Sequence, residues 1–396
     1  GLCIFINSLI PIAIGNGFRI EKINKNNKLC RTVVFNTIKN IPMTLEDLGY
    51  KAELGEYRKK HSLDCFEIGR VISEHKNSYI VKTKNNEYAS ELIGNLRFTA
   101  DSETDLPAVG DWVAISEYDE NKALIHSVYP RHSILERKAV GKLGQTQIIA
   151  TNIDFALIIQ SVNRDFNINR IERYLTICHS SKIEPIVVLS KIDLIGKSEL
   201  EIILKNINKR IKGISIVAIS NESHIGLDKI KSILTKGKTY CLLGSSGVGK
   251  STLINNLVGE KLMITGEISE SIDRGKHITT HRELLVTENG ILIDNPGMRE
   301  VGITNSTAGL EITFDEILKL SHKCKFNDCT HTNEKDCAIL KAVENGEVDS
   351  ESYLNFLKME REKDFFESSV EERKAKDKNF GKMIKNFKKQ RNLDKY

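Results

Sequence analysis

Cysteine is sparse in this sequence, with 8 residues in 396, too few for a disulfide-stapled secreted scaffold. Proline is scarcer still at 6, and the 26 glycines follow no three-residue period, which excludes a collagen-like chain. No apolar run reaches the roughly 20 residues that a membrane-spanning helix needs, so a multi-span membrane protein is excluded as well. Large net charge is also missing: 58 Lys and Arg face 53 Asp and Glu, leaving +5. What is present, 40% hydrophobic and 28% charged residues, excludes wholesale disorder. The length suits about two or three domains with ample room for a core.

The charge is unevenly placed. Residues 1–42 carry six basic side chains (Arg19, Lys22, Lys25, Lys28, Arg31, Lys39) and one acid, Glu21. Their apolar opening, Leu2–Ile14, is interrupted by Asn7, Ser8 and Pro11, and it has neither a basic start nor a small-residue cleavage site. It therefore does not read as a signal peptide. Residues 1–42 are expected to be an atypical, non-structural leader, with folding beginning at Met43. The last 24 residues, Arg373–Tyr396, hold ten basic side chains and two acids. Phe380, Met383, Ile384 and Phe387 recur there at helical spacing, the pattern of a cationic amphipathic helix suited to phosphate. Without the leader the chain is neutral: +8 on Arg373–Tyr396 balances −8 on residues 43–372.

Between Cys65 and Tyr129 the text breaks into short β-branched and aromatic runs: Phe66–Ile72, Tyr79–Lys82, Leu92–Phe98, Asp111–Ile115 and Ala123–Tyr129. Five such strands predict a small barrel of the oligonucleotide-binding (OB) type, spanning residues 43–140. Arg70, Lys82, Lys84, Arg97 and Arg131 are its candidates for RNA contact. Residues 65–137 nevertheless hold 8 basic and 12 acidic side chains, so bulk charge lends that contact no support.

The strongest motif is Gly244-Ser245-Ser246-Gly247-Val248-Gly249-Lys250-Ser251, which matches G-x-x-x-x-G-K-[ST]. Thr239–Leu243 before it reads as a buried strand, and Thr252–Val258 after it as a helix. Glycines let the backbone curl so that its N–H groups converge on phosphate at a helix N-terminus. Lys250 would reach the β- and γ-phosphates, and Ser251 would ligate Mg²⁺. A second apolar strand, Ile186–Leu189, ends in Ser190-Lys191-Ile192-Asp193. A carboxylate at Asp193 would accept both the N1–H and the N2–H₂ of guanine, and adenine offers no such donor pair. Lys191 would lay its stem over the base, and Ser220-Asn221 after Val217 would line the same pocket. Downstream, the strand Ile291–Ile293 leads into Asp294-Asn295-Pro296-Gly297. Asp294 would hold Mg²⁺ through water, and the Gly297 N–H would sense the γ-phosphate. Arg274–His281 between them reads as a switch loop whose threonines can complete Mg²⁺ coordination.

Near the C-terminus, Cys324-x₄-Cys329-x-His331-x₅-Cys337 offers three thiolates and an imidazole within fourteen residues. That donor set fits a closed tetrahedral Zn²⁺ site with no open position for catalysis. His322 is a nearby spare donor, and Cys241 within its strand reads as a core filler.

The order of the pieces is informative. Ras-like GTPases begin with the phosphate loop, whereas here S-K-I-D and Ser220-Asn221 precede it and H-I-T-T and D-N-P-G follow. With a barrel ahead and the cysteine cluster behind, residues 44–396 closely resemble the ribosome small-subunit-dependent GTPase A (RsgA) family. Supporting text includes Arg131–Arg137, Ile171–Leu175, Gly244–Asn255 and Gly275–Leu284. The resemblance implies an OB-type barrel, a circularly permuted α/β P-loop GTPase domain (141–308) and a mostly α-helical zinc-binding domain (309–396). It implies a cytoplasmic, monomeric enzyme that hydrolyses GTP slowly alone and faster on the small ribosomal subunit. Partners would be that subunit and its rRNA, GTP and GDP, and other assembly factors, with no membrane. Catalysis would rest on Lys250, Asp294 and His277. The nucleotide would be held by Ser190, Lys191, Asp193, Ser220, Asn221, Gly244–Ser251, Thr252 and Gly297.

Some positions depart from the family pattern. Ser190 stands for Asn or Thr, and Lys276 and Ile278 replace Arg and the first Thr of G-R-H-T-T-T. The switch-loop Mg²⁺ ligand is then Thr279 or Thr280. Met298 occupies the place of the water-orienting Gln of Ras-like enzymes, leaving His277 or a ribosomal RNA group for that task. The family pattern favours His331 over His322 as the zinc ligand. A competing expectation is a non-catalytic RNA-binding assembly scaffold that uses GTP binding only as a switch. An ABC-type ATPase would need an L-S-G-G-Q signature that the sequence lacks.

Overall fold

The computed structural model describes residues 10–14, 17–21, 43–75, 78–100, 102–138, 146–163, 165–259, 282–294 and 307–367. Residues 1–44 form one unit and Leu45–Tyr396 another. In the first, β1 (Ile10–Ile14) and β2 (Gly17–Glu21) make an antiparallel hairpin that pairs Ile10 with Glu21 and Ile14 with Gly17. The rest of the expected leader lies outside the described residues, as does the basic stretch Arg373–Tyr396.

The second unit opens with a short helix, α1 (Ala52–Lys60), and then the strands β3 (Glu67–His75), β4 (Ser78–Lys82) and β5 (Glu87–Leu92). A six-residue helix α2 (Gly94–Thr99) precedes β6 (Trp112–Asp119) and β7 (Lys122–Val128). The strand order β3-β4-β5-β7-β6 closes on itself through a β3–β6 pairing, and β5 runs parallel to β7. This is the closed five-stranded barrel expected. Alternation fills it: β4 and β5 bury every second residue, and Val71, Val81, Val113, Ile115 and Ile125 meet inside.

Two expectations for the barrel are corrected. The third strand is Glu87–Leu92, not Leu92–Phe98, because Tyr88 and Ser90 point inward while the residues after Ile93 turn into α2 with Phe98 exposed. Arg70 and Arg131 are structural and do not form a basic face. Arg70 is buried and donates to the carbonyls of Gly110, Leu48 and Asn152. Arg131 forks onto Asp111 at 2.8 and 2.6 Å and also donates to Thr104 O and Leu106 O. Lys82 pairs with Glu87, while Lys84 and Arg97 remain exposed.

A hairpin of β8 (Ile134–Lys138) and β9 (Thr146–Thr151) leads into the second sheet region, with the expected 140/141 boundary among the undescribed residues between its strands. Then follow β10 (Phe155–Ser161), α3 (Ile168–Ser180), β11 (Glu184–Ser190), α4 (Lys197–Arg210), β12 (Ser215–Ala218) and α5 (Leu227–Ile233). After them come β13 (Thr239–Leu243), α6 (Lys250–Val258), β14 (Glu283–Val286) and β15 (Ile291–Asp294). Spatial order is β12-β11-β10-β13-β15-β14, all parallel except β14, which bridges to β3 and so joins this sheet to the barrel. Near-continuous apolar strands are what a sheet covered on both faces requires. In β10, Ile158 packs with Val187 and Leu189 under α3 and α4, whereas Leu157 and Ile159 pack with Leu253 and Ile254 of α6.

The C-terminal region is helical: α7 (Thr307–Thr313), α8 (Asp315–Ser321), α9 (Ala338–Glu344) and α10 (Ser350–Glu367). Leu310, Phe314, Ile317, Ile339 and Phe356 form its core. No helix among the described residues is long and apolar enough to cross a membrane.

Candidate nucleotide site and metal centre

Because β12, β11, β10, β13 and β15 run parallel, their carboxyl ends share one edge of the sheet, where such folds bind ligands. The phosphate loop leaves β13 there and enters α6, which is the strand-loop-helix context that its motif needs. Gly244 is required by space as well as by φ, and Gly249 by φ. A Cβ on Gly244 (φ +151°) would lie 2.4 Å from Ile159 O, and one on Gly249 (φ +95°) 2.7 Å from Asn221 Nδ2. Lys250, buried, donates to Gly244 O and Ser245 O, both at 2.9 Å, so its ammonium is held across the loop's own mouth.

The other motif residues reach the same loop. Ser190 ends β11 fully buried, and its hydroxyl donates to Val248 O at 2.7 Å. Asn221 Nδ2 donates to Gly249 O at 3.0 Å, and Asn256 Nδ2 in turn donates to Asn221 O at 3.2 Å. The loops after β11 and β12 are thus pinned to the phosphate loop by side-chain-to-backbone bonds. Lys191 takes a left-handed conformation (φ +62°) that ends the strand, and Asp193 is exposed in the following single turn. Ser220 is buried, with its hydroxyl accepting the Ser223 amide, so its side chain shapes the loop.

Asp294 sits at the carboxyl end of β15, buried, and among the described residues nothing hydrogen-bonds to its Oδ1. Burial pushes its carboxyl up from the usual range, against the pull of Lys250. Burial likewise pulls the Lys250 ammonium down, and Asp294 opposes that. Each ion therefore supports the other in a place that water has partly left. An orphaned buried carboxylate oxygen opposite a phosphate loop is a fitting donor for a cation brought in with phosphate. His277, Thr279, Thr280 and Gly297 lie outside the described residues.

Sequence patterning attached no role to α3, yet two consecutive side chains there tie it to α10. Tyr174, the residue after them, is buried in the core. Arg173 forks onto Glu362 of α10, at 2.8 Å for one arm. Glu172, buried, receives Arg210 of α4 at 3.0 and 2.7 Å, Ser352 at 2.9 Å and Asn355 at 2.6 Å. The available signal was a glutamate on the apolar face of an amphipathic helix, a residue type that goes inside only when paired.

Cys324, Cys329, His331 and Cys337 converge between α8 and α9, with their donor atoms within 4.8 Å of one another. Cys324 Sγ lies 3.8 Å from Cys337 Sγ and 3.5 Å from His331 Nδ1, and Cys337 Sγ lies 3.6 Å from that nitrogen. These spacings match the roughly 3.8 Å edge of a tetrahedron with metal–sulfur bonds of about 2.3 Å. Tyr353 of α10 donates to His331 O at 2.5 Å, and His322 is exposed outside the cluster.

A parallel sheet with a phosphate loop, guanine-type S-K-I-D and D-N-P-G ends on one edge, and motif order rotated along the chain, defines a circularly permuted P-loop GTPase. The fold is similar to that of YjeQ from Thermotoga maritima (TM-score 0.56, 23% identity, 74% of this chain and 96% of that one). It is similar also to YloQ, described as a circularly permuted GTPase (TM-score 0.55, 23% identity, 78% and 99%). The RsgA GTPase family model matches residues 128–304. Small ribosomal subunit biogenesis GTPase RsgA 2 of Lactiplantibacillus plantarum is 43% identical over 74% of this chain and 83% of its own. A namesake from Listeria monocytogenes is 41% identical over 81% and 89%. This chain belongs to the RsgA GTPase family.

Proposed function

We propose that this chain hydrolyses GTP during late maturation of the small ribosomal subunit, in the cytoplasm, slowly alone and faster on the subunit. The observation that carries this is the pinning of both base-side loops to the phosphate loop, through Ser190–Val248 and Asn221–Gly249. In this reading Asp193 is the carboxylate for guanine and Lys250 the ammonium for the β- and γ-phosphates. Ser190, standing where Asn or Thr is usual, anchors its loop through Val248 O. The relatives named above carry small-subunit biogenesis in their names, which supports the choice of partner.

Ser251 and Asp294 would hold Mg²⁺ with Thr279 or Thr280 from the switch loop. Bound with the nucleotide, the ion supplies positive charge against the β- and γ-phosphates. Lys191 covers the base and Gly244–Thr252 cradle the phosphates, while the Gly297 N–H reports the γ-phosphate. His277 orients the attacking water once the subunit orders its loop. Residues 43–140, 141–308 and 309–396 serve as barrel, motor and zinc-binding parts. One structural Zn²⁺ would be held by Cys324, Cys329, His331 and Cys337, which the tetrahedral spacing of the donors supports. With RNA as the target, the Arg373–Tyr396 stretch is the best electrostatic contact.

Phosphate release from GTP, measured with and without purified small subunits, tests this. Subunit-stimulated release that Lys250→Ala abolishes is expected. Stoichiometric GTP binding without stimulated release would instead establish the non-catalytic scaffold. Full stimulated turnover in His277→Ala would overturn the role given to that histidine.

A further inference from the structure

The loop after β12 is held together internally. The Ser220 amide donates to Ile225 O at 2.9 Å, and the Ser223 amide donates to the Ser220 hydroxyl at 3.0 Å. Its place beside the phosphate loop is therefore set by where it is fastened outside itself. One fastening is to the loop after β11, where the Ile192 amide, next to Asp193, donates to Ile219 O at 3.3 Å. The other is Asn221, which lies against α6.

Gly249 at the start of α6 and Asn256 within it are seven residues apart, about two turns, and so share one face. Helix carbonyls point toward the C-terminus and side chains lean toward the N-terminus, so the two groups converge over the turn between them. Gly249 O accepts the Leu253 amide at 2.9 Å and also Asn221 Nδ2 at 3.0 Å. Asn256 Nδ2 donates to Asn221 O at 3.2 Å and to Asn221 Oδ1 at 3.4 Å. The polarity of this strap is forced at both ends, because a backbone carbonyl can only accept. The Asn256 atom facing Asn221 O must be its NH₂. That NH₂ then calls for the oxygen of the Asn221 side chain, which leaves the Asn221 NH₂ for Gly249 O. Resting on the nucleotide-site reading above, we propose that Asn256 is a positioning residue for guanine recognition. Its amide orients Asn221 and thereby seats the base-side loop. The phosphate loop has its own fastenings, Lys250 on Gly244 O and Ser245 O and Ser190 on Val248 O, so losing the strap is felt by the base and not by the phosphates.

Competition against fluorescent GDP on the full chain tests this, with GDP and inorganic pyrophosphate as the two competitors. Asn256→Ala is expected to weaken GDP about five-fold, the effect of one lost hydrogen bond, and to leave pyrophosphate unchanged. Alanine is the better helix former, so α6 itself is not weakened. Asn256→Asp keeps the shape but turns a carboxylate toward two oxygens, and should weaken GDP further than alanine does. A side chain that only supports folding would weaken both competitors alike. Unchanged GDP affinity in Asn256→Ala, or equal losses for GDP and pyrophosphate, would overturn the proposal. Two controls test the underlying reading separately: Asp193→Ala should weaken GDP alone, and Lys250→Ala should weaken pyrophosphate. If Asp193→Ala bound GDP normally, the base-pocket assignment itself would fail; normal pyrophosphate binding by Lys250→Ala would do the same to the phosphate loop.

Discussion

Replacing Glu172 with alanine removes the shared partner of Arg210, Ser352 and Asn355. Its carboxylate is 2% exposed and takes both arms of Arg210, whose own side chain is 8% exposed. Breaking a buried pair by deleting one partner costs about 3–5 kcal/mol. Asp349 Oδ1, 3.8 Å from Arg210 Nε, leaves the guanidinium with some compensation and favours the lower end, about 3 kcal/mol. Ser352 loses its acceptor, worth about 1 kcal/mol, while Asn355 retains Asn169 O at 3.2 Å. The total is about 4 kcal/mol, which falls on the seam between α3, α4 and α10. Hydrogen exchange followed by mass spectrometry reads this seam directly, whereas a global melt of a multidomain chain would blur it. Amides of α10 should exchange nearly a thousand-fold faster, at about 1.4 kcal/mol per decade. Adding Arg210→Met should recover most of the protection, because an apolar pair avoids the desolvation of two ions. A change of less than about ten-fold in the single variant would refute the idea that this ion pair holds the seam.

Other expectations are simpler to check. Metal analysis of the parent is expected to find about one equivalent of zinc, which Cys337→Ser should abolish, thereby destabilising α9, which begins directly after Cys337. Gly309→Ala should lower thermal stability by about 1–3 kcal/mol or more, since its Cβ would meet Thr176 O and the Ser180 hydroxyl at 2.1 Å. Asp154 gives a pH test. Burial alone would raise its carboxyl, but the Thr239 amide at 2.9 Å and Lys51 at 3.0 Å outweigh burial and hold it below the usual range. A depressed carboxylate stabilises the fold above its unfolded pKa of about 3.9, and that stabilisation is lost as pH falls through the lower folded value. The stability gap between parent and Asp154→Asn in urea titrations should therefore be constant near neutrality and close below about pH 4.

The phosphate loop was legible because its chemistry is local. Eight consecutive residues supply the turn, the amides and the cation, and the flanking apolar runs can only be a strand and a helix. The quartet of three cysteines and His331 was legible for the same reason, its donors lying within fourteen residues. The barrel's third strand was misplaced because Glu87–Leu92 is polar on its outer face, and its identity depends on parallel pairing with Lys122–Ile125, 33 positions away. Arg70 and Arg131 looked like surface charge because composition cannot tell a guanidinium in water from one wrapped by carbonyls.

By itself, then, the sequence determined which motifs are present: a phosphate-loop motif, an S-K-I-D strand end, a donor set of three cysteines and a histidine, and an order of motifs that names the family. Tertiary structure alone decided how these are connected. Ser190 meets Val248, and Asn221 meets Gly249, only because strands distant along the chain lie side by side in a parallel sheet. Glu172 is tolerable inside only because Arg210, Ser352 and Asn355 arrive from two other helices. Local periodicity carries the preference of each segment. The pairing of buried polar groups is a property of packing, since an ion leaves water only where its partners are already placed.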